Sequence, residues 1–313
     1  MKAFVLREPG SAEMLQLTTL PLPVVNDDEV LVEIKAIGIN PIDVKTRMGI
    51  GLYPRLVGDR PIILGWDISG IVVETGAGVS KFKKGDEVFG MIHFPGHGKA
   101  YAEYVACKAD HLAIKPSNIS HAAAAASCLA ALTAWQALTK IASIKKNDRL
   151  LVHAAAGGVG HFAIQIARYL GAYIIGTCSA ANKDFVLSVG AHKVIDYQAV
   201  AFEKELHEID IVLDGIGGSY IDRSLITMKK GGVYICLPSN NSQGVTEKAK
   251  EAGVKGYTML VQSSGPDMQM LANMLENKYI VPYVSKTFAF EDIPMAHHHI
   301  ETSRTVGKIV VVL

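Results

Sequence analysis

A chain of 313 residues is long enough for about two domains and buries roughly three quarters of the surface that its unfolded form exposes. Lys and Arg number 31 against 30 for Asp and Glu, and a net charge of +1 gives neither nucleic acid nor an anionic membrane an electrostatic footprint. The expected partner is therefore a small molecule, with no nucleic acid and no membrane.

The first residues, MKAFVLREPG, contain no apolar core preceded by basic residues, and no apolar run reaches the ~18 residues of a membrane span. Cys107, Cys128, Cys178 and Cys236 lie far apart without paired spacing, which argues against disulfides and a structural zinc knuckle and points to a cytoplasmic protein.

Short β-rich runs separated by Pro, Gly and Asp occupy 1–120: KAFVL, EVLVEIKAIGI, ISGIVVETG, EVFGMI, AEYVAC and HLAIKP. They predict a small, mostly antiparallel barrel or sandwich. The alanine-rich stretch 122–135 reads as one buried helix. Within 121–262 strands and helices alternate, which predicts a parallel sheet with the strands RLLVHAA, AYIIGTC, KVIDY, DIVLDGI, GGVYICLP and YTMLV. The rest, 263–313, reads as helix, strand, helix and a last strand, GKIVVVL, and resembles the first segment more than the second. The alternating domain is thus expected as an insertion into the β domain, with a cleft between them. His297, His298 and His299 fall in a predicted helix, where consecutive side chains point around the axis and make a poor metal site.

The most informative stretch is LLVHAAAGGVG (150–160), an apolar run breaking into Gly157, Gly158 and Gly160, followed by HFAIQIARYLGA with helical spacing. A dinucleotide site needs small residues here, because the chain turns tightly, its backbone approaches a pyrophosphate and the helix packs on the strand. Ala155 stands where the first glycine of the usual pattern falls, and Val159 completes the turn. The helix face of Phe162, Ile166, Tyr169 and Leu170 ends at Gly171, and a second strand follows on schedule. That strand ends at Thr177, Cys178 and Ser179, without the carboxylate that accepts from ribose hydroxyls in NAD-binding units. Ser179 can donate to a 2′-phosphate and Lys183 follows four residues on, so NADPH is expected over NADH. Tyr197, ending the third strand, is a candidate for the same pocket or a packing residue.

With those parts in order, the chain resembles the zinc-independent quinone oxidoreductases related to zeta-crystallin, within the medium-chain dehydrogenase/reductase superfamily. The supporting segments are GINPIDVKTRMG (38–49), PIILGWDISGIV (61–72), FKKGDEVFG (82–90), CLAALTAWQAL (128–138), VLDGIGG (212–218) and TVGKIVV (305–311). The resemblance implies an α/β fold in which a doubly wound, Rossmann-type parallel sheet is inserted into a GroES-like, mostly antiparallel β-barrel domain. It further implies NADPH use, reduction of quinones or α,β-unsaturated carbonyls, and a homodimer with YTMLV as an edge strand. Enal or enoyl-thioester reduction, and an NADPH-binding structural or RNA-binding role without turnover, are the alternatives.

Zinc enzymes of the superfamily carry Cys where this chain has Asn40, His where it has Trp66 and a second Cys that Cys128 matches, so no metal is expected. By family position Asn40 lies beside the nicotinamide ribose and the substrate, or serves as a turn residue before Pro41. Tyr53, in a loop overhanging the cleft, is the candidate donor to the substrate carbonyl, and Thr133 matches a threonine that contacts the nicotinamide. Asp214 and Gly215 are expected at the cofactor edge, Leu237 and Ser239 over the nicotinamide, and Gly307 and Lys308 as a closing contact with the cofactor. His93 and His97, in the loop HFPGHGK, are either solvated or proton donors.

Overall fold

In the computed structural model, which describes residues 1–238 and 241–313, sixteen strands form three sheets. Chain order runs β1 (Lys2–Leu6), β2 (Leu15–Thr19), β3 (Glu29–Ile39), β4 (Ile62–Ile63), β5 (Asp67–Thr75), β6 (Glu87–Met91), β7 (Tyr104–Lys108) and β8 (Ala113–Ile114). It continues with β9 (Arg149–Val152), β10 (Tyr173–Cys178), β11 (Lys193–Asp196), β12 (Ile209–Asp214), β13 (Met228–Cys236), β14 (Lys255–Thr258), β15 (Val284–Ala289) and β16 (Lys308–Val312).

Residues Met1–Leu132, Val261–Lys278 and Pro282–Leu313 make one compact unit. Its larger sheet has the order β15-β16-β3-β5-β6-β8, with β7 on β3, and only β15 and β16 pair in parallel. The last strand therefore returns to the sheet that the first residues build, Ile309 facing Ile39 across the antiparallel ladder. Strand β3 runs BBB and BBBB in burial at its two ends, the sign of a strand covered on both faces. The stretch expected as one helix over 122–135 is two, His121–Ala126 and Leu129–Gln136. Ser127 donates its hydroxyl back to Ala123 O at 2.8 Å, and the amide of Leu129 turns to Asp67 Oδ1 at 2.9 Å, restarting the helix on a carboxylate.

The second unit, Thr133–Leu260 with Tyr279–Val281, contains a six-stranded sheet, β11-β10-β9-β12-β13-β14, parallel throughout. Counted from β9 this is the 3-2-1-4-5-6 order of a Rossmann sheet, and the order reverses between β9 and β12. β14 is the edge strand as expected, but it stops at Thr258, short of the predicted YTMLV. One face of the sheet buries Leu151, Ile175, Val212, Tyr234 and Cys236 against Phe202, Ile221 and Val245.

A buried histidine crosses this unit: His153, just after β9, meets Thr177 Oγ1 at 2.9 Å through Nδ1 and Ser224 Oγ at 2.8 Å through Nε2. Burial lowers its pKa to about 4, and burial likewise lowers that of His297 to about 3. Both rings are neutral in the native state, so the unfolded chain binds more protons below its own histidine pKa and stability falls with pH from about 6.5 towards 4. Denaturant titration at pH 7.5 and pH 5 is expected to show a loss on the order of 2 kcal/mol from His153 alone. A His153→Gln protein should lose that part of the pH dependence, whereas an unchanged slope would show that His153 is not the titrating group.

Candidate functional site

The glycine turn expected to bind the nucleotide begins where β9 ends. Ala154 takes the left-handed conformation at φ 51°, and Gly157 caps a twelve-residue helix, Gly158–Tyr169, without a side-chain bond. His161 is the first residue whose amide bonds back, to Gly157 O at 3.1 Å, so the amides of Gly158, Val159 and Gly160 face out of the helix end. Three N–H groups and the helix dipole there are suited to an anion. A Cβ on Gly160 would stand 2.4 Å from Ala154 O, so only glycine allows the helix to sit this close to the turn. Ala155, at the usual first-glycine position, is wholly buried, and its methyl fits because Gly176 on β10 has no side chain: a Cβ on Gly176 would lie 2.9 Å from it. Small size has moved from the turn to the neighbouring strand.

The other described candidates on this unit gather at the same, C-terminal ends of the strands. Ser179 is partly buried just after β10, Lys183 is exposed at the start of the next helix, and the amide of Tyr197 bonds Cys178 O at 3.2 Å while its side chain is 42% exposed. β10 itself ends without a carboxylate, while Asp196, which ends β11 beside Cys178, gives its Oδ1 to the amide of Gln198 at 3.0 Å. Gly215 lies across the turn, a Cβ there being 3.7 Å from Ala154 Cβ, and Leu237 donates its amide to Asp214 O at 2.9 Å. The carboxylate of Asp214 is directed into its own turn: it accepts from the amides of Ile216 (2.7 Å) and Gly217 (3.0 Å) and from the hydroxyl of Tyr234. Asp214 thus shapes the turn that presents Gly215. Thr133 is nearly buried on its helix, and Ser239 lies outside the described residues.

In the first unit, Asn40 follows β3 and is the N-cap residue of the helix Pro41–Arg47, its backbone amide bonded to Asp43 Oδ2 at 2.7 Å. Its side chain is buried. Nδ2 donates to Asp67 Oδ2 at 2.8 Å, and Oδ1 accepts from the ammonium of Lys308. Lys308 also donates to Ile39 O at 2.8 Å and is 4% exposed. Burial pushes the Asp43 and Asp67 carboxyls up and the Lys308 ammonium down, with the opposite charges of Lys308 and the aspartates working against each shift. Gly307 has φ +59°, and a Cβ there would strike Tyr283 O at 2.3 Å, so glycine is required by the turn into β16.

Tyr53, expected in a loop, is instead the first residue of a one-turn helix, Tyr53–Leu56, with Pro54 fixing the turn; its side chain is partly exposed. His97, expected as solvated or a proton donor, is held at both nitrogens. Nδ1 pairs with Asp59 Oδ2 at 2.8 Å and Nε2 accepts from the amide of Ile63 at 3.1 Å. The same loop seals Trp66, whose Nε1 donates to Gly96 O at 2.7 Å and whose ring meets Phe94 edge-on at 5.5 Å. Sequence reasoning assigned neither His97 nor Trp66 these partners, since each pairing depends on a loop conformation that composition does not encode. His297, His298 and His299 diverge as expected, towards Tyr101 (2.9 Å), Glu13 (2.8 Å) and the Phe288 ring.

The alcohol dehydrogenase GroES-like domain matches residues 26–117, and a domain described as zinc-binding dehydrogenase matches 189–311. Mouse mitochondrial NAD(P)H oxidoreductase RTN4IP1 is 31% identical over 99% of this chain and 89% of its own. The chloroplastic NADPH-dependent alkenal/one oxidoreductase of Arabidopsis thaliana is 31% identical over 99% of this chain and 79% of its own. The solved quinone oxidoreductase of Coxiella burnetii superposes with a TM-score of 0.95 at 34% identity, covering 100% of this chain and 99% of that one.

A zinc ion does not fit the donor set here. Asn40 offers an amide, Trp66 an indole already bonded to Gly96, and Cys128 a thiol that burial holds well above its usual pKa. A lysine ammonium lies against the same Asn40 and Asp67, and among the described residues no group of three metal-ligating side chains exists. With a Rossmann-type sheet, a GroES-like β domain and a site without zinc ligands, the chain belongs to the zinc-independent quinone oxidoreductase family of the medium-chain dehydrogenase/reductase superfamily.

Proposed function

We propose that this protein is an NADPH-dependent reductase of quinones or other α,β-unsaturated carbonyls, working by metal-free hydride transfer. The carrying observation is that β10 ends at Cys178 and Ser179 without a carboxylate of its own, with Lys183 opening the next helix, on the same sheet edge as a helix end with three outward amides. A 2′-phosphate suits the first and a pyrophosphate the second. The relatives' names, NAD(P)H oxidoreductase and NADPH-dependent alkenal/one oxidoreductase, agree with this choice.

NADPH would supply the hydride. When an enone accepts it at the β-carbon, the electron pair of the C=C bond moves to the oxygen as an enolate, which takes a proton at carbon from a hydroxyl donor or water. The chain's own residues have to orient the acceptor and favour negative charge on its oxygen. Asn40 and Thr133 are proposed beside the nicotinamide and Tyr53 as the donor to the carbonyl, with Leu237 and Ser239 near the nicotinamide and Gly307 closing the cofactor site. Lys308 is proposed to share that closing contact, and within the first unit its ammonium bonds Asn40 Oδ1 and Ile39 O. The assignment of 121–262 to the cofactor domain is supported by the six parallel strands lying between Arg149 and Thr258.

A homodimer is proposed on the exposed edge strand β14, whose Tyr257 is 40% exposed beside Leu260 at 44%. Among the described residues no helix is long and apolar enough to cross a membrane. A cytoplasmic location is proposed although the relatives cited are named mitochondrial or chloroplastic.

Two measurements test this reading. After EDTA treatment, absorbance at 340 nm with a panel of quinones, enones and enals should show NADPH oxidation on at least one acceptor at the untreated rate. Loss of turnover that zinc restores would overturn the metal-free account, and tight NADPH binding with no turnover would favour the binding-protein alternative; a preference for enals would place the chain with enal reductases. Substituting Lys183→Ala should reduce the preference for NADPH over NADH by roughly ten- to a hundredfold through the NADPH KM, as expected for one lost charge-assisted bond. An unchanged preference would show that Lys183 does not reach the phosphate.

A further inference from the structure

Between the helices Pro41–Arg47 and Ile293–Glu301 of the first unit lies a polar group that takes no part in the reduction described above: Asp43, Arg47, Tyr101 and His297, none more than 2% exposed. Side chains of this kind are rarely so buried unless their donors and acceptors are met. Arg47 gives Nε to Gly10 O at 3.1 Å and Nη2 to Glu301, which stands one turn beyond His297 on the same helix face. The guanidinium is therefore carried alongside the imidazole. Tyr101, packed edge-on against that ring at 5.6 Å, brings its hydroxyl to His297 Nε2 at 2.9 Å and also to the Asp43 carboxylate. Asp43 Oδ2 is taken by the amide of Asn40. Among the described residues, Asp43 Oδ1, Arg47 Nη1 and His297 Nδ1 are buried without a protein partner in full hydrogen-bond geometry.

Burial first, and the Arg47 charge second, hold the His297 pKa down to about 3, so the ring carries a single proton whose place has to be assigned. If Tyr101 donated to Nε2, that proton would sit on Nδ1, and the imidazole and the guanidinium would both present donors to one place. A water there would accept twice, and Asp43 Oδ1 would receive nothing. In the opposite order His297 Nε2 donates to the Tyr101 oxygen, the hydroxyl of Tyr101 donates to Asp43 Oδ1, and Nδ1 becomes a bare acceptor beside an unused guanidinium N–H. A guanidinium is never deprotonated in a protein, so this order alone matches each donor to an acceptor. One water, accepting from Arg47 Nη1 and donating to His297 Nδ1, then satisfies both remaining atoms.

We propose that an internal water binds between Arg47 Nη1 and His297 Nδ1, closing a one-way donor chain that runs from the guanidinium through the water, the imidazole and the phenol of Tyr101 to Asp43. The chain delivers a donor to Asp43 Oδ1 and so keeps this carboxylate as the acceptor that opens the helix Pro41–Arg47. The inference stands apart from the reductase reading, because no part of it requires turnover.

A crystal structure of the full-length protein, grown with bromide as the only halide, should show one water peak about 3 Å from both Arg47 Nη1 and His297 Nδ1. No peak, direct contact between the two side chains, or an anomalous bromide signal at that place would each overturn the proposal, the last by identifying an anion site. The proton order is read by NMR on protein labelled with ¹⁵N-histidine, the His297 signals being those missing from His297→Gln. At about pH 7 Nε2 should carry the proton and Nδ1 none. A proton on Nδ1 would reverse the chain and refute it. Arg47→Met, checked by thermal unfolding, removes the charge that sets the order and should replace the single tautomer by a mixture of both. A lone Nε2 tautomer surviving in that variant would contradict the direction assigned to Arg47. Should His297→Gln not fold, Tyr101→Phe marks the same signals by the shift at Nε2, and the crystal structure needs no substitution.

Discussion

An ammonium buried against an amide carbonyl and a carboxylate is the constraint around which the first unit is arranged. It draws together the end of β3, the start of β5 and the start of β16, residues separated by up to 269 positions in sequence. Each partner would be costly alone: Asp67 without its donors, or Lys308 without its acceptors, would be a desolvated charge with nothing to offset it. Together they also fix neighbouring structure, since Asp67 starts the helix Leu129–Gln136 and Asn40 caps Pro41–Arg47. An amide, an indole bonded to Gly96 O and a thiol held protonated by burial make a poor donor set for zinc.

The second unit solves a different problem, the close approach of backbone to a diphosphate. Its solution distributes small size over two strands. Ala155 replaces a glycine in the turn, Gly176 gives up its side chain on the neighbouring strand, and Gly160 keeps the helix against the turn. Three amides are thereby left at the helix end without a competing side-chain cap. The neutral imidazole of His153, just after β9, ties that strand's end to β10 and to the helix Ser219–Thr227.

Local patterns made most of this legible before any coordinates. The alternation of apolar strands with helical spacing defined the parallel sheet, and the glycine run placed the nucleotide turn, because period and backbone freedom are properties of a few adjacent residues. The candidates that sat at strand ends, Ser179, Tyr197, Gly215 and Leu237, come together on one edge of the sheet for the same reason: in a parallel sheet, every strand ends on the same side. What stayed hidden depends on partners distant in sequence. The break at Ser127 and Cys128 requires Asp67, 62 positions before Leu129. The inward turn of Lys308 requires Asn40, and the immobilisation of His97 requires Asp59, 38 positions away. Asp214 was read from its place at a strand end, but its role is set by Tyr234 on the adjacent strand, a relation that register decides.

The central claim is that a hydride passes directly from a nicotinamide to a conjugated acceptor, with the protein supplying orientation and charge stabilisation alone. The most direct test is to follow the label: NADPH carrying deuterium at both C4 positions is incubated with the EDTA-treated protein and a simple enone, and the product is analysed by mass spectrometry and NMR. The account predicts one deuterium per product molecule, at the β-carbon, with a solvent-derived proton at the α-carbon. A reduced product without deuterium at the β-carbon, or none formed while NADPH is bound, would contradict it.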